Sequence, residues 1–246
     1  MALSYALEKP RAASLGLIVL ETDETLENEA RSAIPSEASL HHTRIYSAPT
    51  VTPDTLAAME AKLPDAAGTF PGHVTYDAIG YCCTSGATVI GQDKVAAAIR
   101  SAHPQAKTTD PITAVMAALT GLGARRIGLL TPYTLDVSAA MQALLEANGF
   151  EITAFGAFEE AEEAKVARIS EASTLAAMLE VGGGDVDAVF ASCTNLNTFG
   201  VLEEAETKLG KPVISSNSAL IWHLCRLAGI RADVPGRLGQ IAPPCS

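Results

Sequence analysis

The sequence predicts an α/β protein built from two similar halves, each a mostly parallel sheet flanked by helices. Three observations carry this prediction. Short apolar runs alternate with alanine-rich helical patterns along the chain, as parallel strands joined by crossover helices require. A nine-residue phrase occurs twice, as Asp77-Ala78-Ile79-Gly80-Tyr81-Cys82-Cys83-Thr84-Ser85 and as Asp187-Ala188-Val189-Phe190-Ala191-Ser192-Cys193-Thr194-Asn195, at an offset of 110. Leu15-Gly16-Leu17-Ile18-Val19 aligns with Ile127-Gly128-Leu129-Leu130-Thr131 at an offset of 112, and Thr109 to Ala114 echoes Ser215 to Ala219 more loosely.

Taken in order, Leu15 to Leu20 reads as a buried strand, a continuous apolar run too short for a helix, and Glu27 to Ile34 as the helix after it. Ala78 to Cys82 is the next strand, and Lys94 to Ser101 lies in an alanine-rich helix. Ile112 to Leu122 is helical and stops at Gly123, where glycine suits a helix C-terminus. Arg126 to Leu130 starts a new strand, and the helix through Ala139 to Ala147 ends at Asn148-Gly149. Ala188 to Ala191 and Pro212 to Ile214 are further strands, and Ala219 to Ala228 is a late helix. The halves are expected at residues 1–115 and 116–225, with 226–246 returning to complete the first. Ligands in open α/β sheets bind outside the carboxyl ends of strands. Cys83 and Cys193 both fall at such ends, so two thiols can face each other across a cleft.

The 246 residues, 48% of them hydrophobic, supply a sizeable core. A net charge of −11 argues against a nucleic-acid or anionic-membrane partner, which needs a basic field, and leaves a small carboxylic-acid substrate open. Met1 to Arg11 contains no apolar run preceded by basic residues, and no stretch approaches the roughly 20 apolar residues that span a bilayer. Five cysteines without a Cys-x-x-Cys pair make no disulfide framework in a chain of this length. The expectation is a cytoplasmic protein with reduced thiols; a homo-oligomer stays open.

A free cysteine is usually a small buried hydrophobe. Here each thiol ends a strand and is followed by Thr84-Ser85 or Thr194-Asn195, which add hydroxyl and amide donors to the backbone N–H groups. A thiol beside a helix N-terminus has a depressed pKa and becomes a usable base. Nearby donors stabilise the enediolate formed when a carbon next to a carboxylate loses its proton. The repeat therefore favours a chemical role for Cys83 and Cys193.

The paired Cys-Thr phrases, with Gly80-Tyr81-Cys82-Cys83 in one half and the Thr131-Pro132-Tyr133 turn in the other, resemble the aspartate/glutamate racemase superfamily, in its maleate isomerase and arylmalonate decarboxylase branch. Ile18 to Thr25 resembles the racemase-like proteins associated with ectoine utilisation. The resemblance implies two pseudo-symmetric, Rossmann-like halves with a cofactor-independent site in the cleft between them. It implies Cys83 and Cys193 as the catalytic pair, with Thr84, Ser85, Thr194 and Asn195 holding a substrate carboxylate and Tyr133 touching the substrate. It also marks two departures. Arylmalonate decarboxylases have glycine at the Cys83 position, so two thiols favour racemisation or isomerisation over one-sided protonation. Maleate isomerases carry Pro-Ser-Ser-Asn after the first strand, where this chain has Leu20-Glu21-Thr22-Asp23. An ionised Asp23 repels a dicarboxylate and attracts an ammonium group, which favours an amino-bearing acid, or helps activate a neighbouring thiol; alternatively, Glu21, Asp23 and Glu24 begin the next helix, where acids suit its dipole.

No metal site is expected. His41-His42 has no nearby ligand pattern, and His73, His103 and His223 are isolated. Cys82 should point away from the cleft, since adjacent strand residues face opposite sides. Cys225 and Cys245 read as bystanders, and Glu159 to Glu163 as a solvated helix face. A cofactor-independent racemase or isomerase is the first reading, which includes a thioether route in which Cys83 adds to a cis double bond. A malonate-type decarboxylase with Cys193 as proton donor and a non-catalytic carboxylate binder are the alternatives.

Overall fold

In the computed structural model, which describes residues 1–9 and 11–242, the two sheets have four strands each and the same strand order. The first contains β1 (Ala13–Leu20), β2 (Ala38–Ile45), β3 (Ala78–Cys82) and β4 (Lys107–Thr109) in the order β2-β1-β3-β4. The second contains β5 (Arg126–Thr131), β6 (Glu151–Ala157), β7 (Ala188–Ala191) and β8 (Val213–Ser215) in the order β6-β5-β7-β8. All the pairings are parallel. β1 and β5 take equivalent places, as do β3 and β7, so the repeated phrases occupy matching central strands.

Central strands are covered on both faces and read as unbroken apolar runs. That is why β1, β3, β5 and β7 are visible in the sequence. The edge strand β2 is half-buried and polar (Ser39, His41, His42, Thr43, Arg44), and β4 is only three residues long, so neither carries a strand pattern. The Asp of each repeated phrase closes the start of its sheet. Asp77 accepts from the Ser14 N–H at 2.8 Å, and Asp187 from the Arg126 N–H at 2.8 Å. These aspartates lie at the strand ends away from the thiols and are structural.

The helices of the first half are α1 (Leu26–Ala33), α2 (Pro53–Ala57), α3 (Leu63–Gly68), α4 (Thr84–Ile90), α5 (Gln92–Ala102) and α6 (Pro111–Gly121). Then follow α7 (Leu135–Ala147), α8 (Glu163–Val166), α9 (Glu171–Gly182), α10 (Phe199–Leu209) and α11 (Ser216–Leu227). The loose echo of Thr109–Ala114 in Ser215–Ala219 is a strand end followed by a helix cap. Asp110 accepts from the Ile112 and Thr113 N–H groups at 3.0 Å each, with Pro111 in the first turn. Ser215 and Ser218 form a reciprocal capping box on α11. α11 crosses to the first sheet and packs on α6 and β3. Gly80 permits that approach, because a Cβ there would stand 3.3 Å from Leu220 and from Leu17. Across the halves, Glu29 of α1 accepts from the Thr198 and Phe199 N–H groups at 3.0 Å and from Asn217 Nδ2 at 2.6 Å. No helix among the described residues is long and apolar enough to cross a membrane. Cys245 lies outside the described residues.

Candidate active site

The two thiols sit at equivalent strand ends but in different backbone conformations. Cys83 directly follows β3 and is the extended N-cap of α4, its Sγ accepting from the Gly86 N–H at 3.2 Å. Only glycine fits at 86, since a Cβ would come within 2.9 Å of that sulfur and 2.5 Å of the Tyr81 hydroxyl. Cys193 lies two residues past β7 with φ at +106°, a region L-residues rarely enter. Its Sγ accepts from the Asn195 N–H at 3.3 Å and shares a hydrogen bond with the Tyr133 hydroxyl at 2.9 Å. Its own N–H donates to Ser216 Oγ at 3.0 Å, and Ser216 Oγ meets Thr84 Oγ1 at 2.7 Å. One serine thus joins the two cysteine loops; nothing in the sequence pattern singled it out.

Tyr133 enters the site from the turn after β5, fixed by its N–H donating to Thr131 Oγ1 at 3.0 Å. Its hydroxyl donates to Glu163 Oε1 at 3.1 Å, which leaves the oxygen able to accept from the Cys193 thiol. The other Glu163 oxygen accepts from Asn195 Nδ2 at 2.9 Å. The expectation of a solvated face over Glu159 to Glu163 is corrected here. α8 begins only at Glu163, whose side chain is 4% exposed and held inward by Tyr133 and Asn195. Its partners lie 30 and 32 residues away, so no local spacing could reveal it.

Asn195 clasps two segments. Its Oδ1 accepts from the Glu24 N–H at 2.8 Å, while Nδ2 also donates to the Thr22 and Glu163 carbonyls. One oxygen of Asp23 follows the helix-start reading, and the other is left over. Oδ1 accepts from the Thr25 and Leu26 N–H groups at 2.9 and 2.8 Å, capping the start of α1. Oδ2 has no hydrogen-bond partner although the residue is 4% exposed. Glu21 and Glu24 are outside, and Glu24 pairs with Arg168 at 3.4 Å. Thr194 lies beside the Asp23 carboxyl but donates to the Cys82 carbonyl at 3.3 Å. Ser85 is buried and its hydroxyl has no partner. Cys82, also buried, donates to the Gly80 carbonyl at 3.6 Å.

Burial decides the electrostatics. It pushes the Cys83 thiol up to about 12, with Glu163 and Asp23 adding and the Gly86 N–H opposing. Cys193 is likewise held well above the usual thiol range, by burial first and the Glu163 charge second. The depressed pKa expected of a thiol at a helix N-terminus is therefore overturned: desolvation outweighs the helix end. Burial also lifts the Asp23 carboxyl to about 6 and raises Glu163, whose bonds from Asn195 and Tyr133 oppose the shift. Beside Glu163 the 49–51 and 161–163 segments are tied together, with the Val51 N–H donating to Ala161 O at 2.9 Å and the Glu163 N–H to Pro49 O at 3.1 Å. Cys83 and Cys193 are left 4% and 1% exposed.

Comparison with known proteins is consistent with this arrangement. The arylmalonate decarboxylase family matches residues 89–241. A maleate isomerase of Nocardia farcinica is 30% identical over 241 residues, covering 90% of this chain and 92% of that protein. An arylmalonate decarboxylase of Bordetella bronchiseptica is 33% identical over 131 residues, which is 52% of this chain and 55% of that one. The solved Nocardia farcinica maleate cis-trans isomerase, a cysteine-to-serine mutant with a covalently bound succinylcysteine intermediate, matches with a TM-score of 0.85 at 27% identity, covering 95% and 99% of the two chains. The chain belongs to the arylmalonate decarboxylase family, in the branch of the aspartate/glutamate racemase-like superfamily that includes the maleate isomerases.

Proposed function

We propose that this protein is a cofactor-independent racemase or cis-trans isomerase of a small carboxylic acid, with Cys83 and Cys193 as its acid/base pair. The observation that carries the proposal is the presence of a buried thiol at the same strand end of both halves, each accepting a backbone N–H. In the racemase form one thiolate takes the α-proton and the opposite thiol returns a proton to the other face of the carbon. The enediolate between these steps is held by the unpartnered Ser85 hydroxyl, joined by Thr84, Thr194 and Asn195 as their donors turn from Ser216, the Cys82 carbonyl and Glu163. Before Cys193 serves as the base, its thiol proton passes to the Tyr133 hydroxyl as that hydroxyl's own proton passes to Glu163, which leaves the thiolate.

In the isomerase form the Cys83 sulfur adds to a cis double bond while Cys193 protonates the adjacent carbon. Rotation about the resulting single bond follows, then Cys193 removes the proton and the carbon–sulfur bond breaks. The covalent succinylcysteine in the Nocardia farcinica relative supports this variant. A malonate-type decarboxylase with Cys193 as proton donor is the second reading, supported by the family match over residues 89–241.

Proton NMR in deuterated water with a panel of amino, hydroxy, unsaturated and malonate-type acids distinguishes these forms. α-Hydrogen exchange marks racemisation, a shifted vinyl signal marks isomerisation, and loss of carbon dioxide marks decarboxylation. Cys83→Ser and Cys193→Ser should each abolish racemisation or isomerisation. Two fully active serine variants would falsify the two-thiol mechanism, and decarboxylation that persists in Cys83→Ser selects the second reading.

A further inference from the structure

Two buried carboxyl groups stand among the thiols, and neither has a salt-bridge partner among the described residues; the Arg44 charge lowers the Asp23 pKa but its guanidinium reaches only the Asp23 backbone carbonyl, at 3.0 Å. Asp23 Oδ2 is an unpartnered acceptor on a residue 4% exposed, and its charge acts on Cys83, Cys193 and Glu163 alike. Each Glu163 oxygen holds one donor and keeps a second lone pair. The neighbouring positive charges are all engaged elsewhere. Arg44 donates to the backbone carbonyls of Leu20, Glu21 and Asp23 and to the Glu27 carboxylate. Arg168 pairs with Glu24, and Lys165 with Glu160 and Glu162. A buried anion without a partner is costly, and a cation brought against it offsets that cost. The buried Ser85 hydroxyl, two residues past Cys83, is an unpartnered donor in the same region.

We propose that Asp23 and Glu163 form the seat of a cationic nitrogen, so that the substrate is a small carboxylic acid carrying an ammonium group, with its carboxylate on the Ser85 side. This deepens the two-thiol reading, on which it rests for placing the reacting carbon between Cys83 and Cys193. A dicarboxylate dianion would instead bring two further negative charges against Asp23 and Glu163.

The test is binding rather than turnover. Isothermal titration at pH 8 compares alanine with isobutyrate, 3-aminopropionate with butyrate and 4-aminobutyrate with pentanoate, alongside succinate and maleate. At least one amino acid should bind about tenfold or more tightly than its uncharged isostere and than either dicarboxylate. Asp23→Asn and Glu163→Gln should each lower that affinity about tenfold, and the double variant should prefer a dicarboxylate. Such a reversal is a gain that an unfolded variant cannot produce. The proposal is overturned if wild-type protein prefers succinate or maleate to every amino acid, if charged and uncharged isosteres bind alike, or if the carboxamide variants keep the wild-type preference. Cys83→Ser and Cys193→Ser should bind the same ligands in the same order whether or not they remain active. Failure of the thiol mechanism and failure of the cation seat are therefore separate results.

Discussion

Replacing Asp23 by asparagine keeps an oxygen for the bonds from the Thr25 and Leu26 N–H groups and removes the charge. Burial lifts this carboxyl from 3.8 to about 6. Roughly two pH units at 1.36 kcal/mol each put the cost of ionising it in the fold at about 3 kcal/mol. The sign follows from the raised value. Below pH 3.8 both folded and unfolded chains hold the proton and no cost arises. Between there and about 6 the unfolded chain ionises first, and above 6 the folded chain bears the full charge. Asp23→Asn should therefore match wild type near pH 3.5 and exceed it at pH 7.5 by about 3 kcal/mol, or roughly 6–12 °C in Tm. Thermal and urea denaturation followed by circular dichroism from pH 3.5 to 8 measures the difference. An asparagine variant no more stable than wild type at pH 7.5, or equally stabilised at both ends of the range, refutes the reasoning.

Tyr133 and Glu163 should move the Cys193 thiol in opposite directions. Tyr133→Phe removes the hydroxyl that turns from Glu163 to donate to the Cys193 thiolate, and should raise that thiol's pKa further by removing about 1.5–3 kcal/mol of stabilisation from the charged form. Glu163→Gln removes a like charge no more than about 6 Å away and should lower it by about 2 units at an effective dielectric near 20. Rates of iodoacetamide alkylation against pH, with Cys193→Ser as the blank, read both shifts; movement of both variants the same way contradicts the assignment. Glu29→Ala leaves the Thr198 and Phe199 N–H groups and the Asn217 amide without their acceptor and should cost about 3 kcal/mol or more. An unchanged urea midpoint would show that this cross-half contact contributes nothing.

What the sequence shows depends on how far a residue's partners lie along the chain. β3 and β7 are legible because a central strand states its burial in its own residues, and the repeat adds the symmetry of the two sheets. The edge strand β2 is not, since it is half-buried and polar, and its pairing belongs to β1. Among the candidate site residues, Cys83, Cys193, Thr84, Ser85, Thr194 and Asn195 stand within the repeated phrases, and their clustering follows from strand order. Glu163 and Ser216 reach the same place from unrelated segments, through single bonds to Tyr133, Asn195, Thr84 and Cys193. The thiol pKa is invisible for a different reason. The helix end that lowers it is local to Cys83, whereas the burial and charges that raise it are supplied by the whole fold.

The acidic residues and the high thiol pKa values belong to one electrostatic problem. Burial sets both thiols high, and the charges of Glu163 and Asp23 raise them further. A cation between those carboxylates offsets that second contribution while the ligand is bound. At an effective dielectric near 20, one positive charge about 6 Å from a sulfur favours its thiolate by about 3 kcal/mol, or about 2 pH units. A dicarboxylate acts in the opposite sense and holds both thiols protonated. In the proposed cation seat, therefore, the ligand charge that selects the substrate also brings the thiols towards their working range. The Glu163→Gln alkylation profile measures the size of that coupling without any substrate. If the variant leaves the Cys193 midpoint where it is, charge at this position acts on binding alone, and the thiolate must be generated by another route.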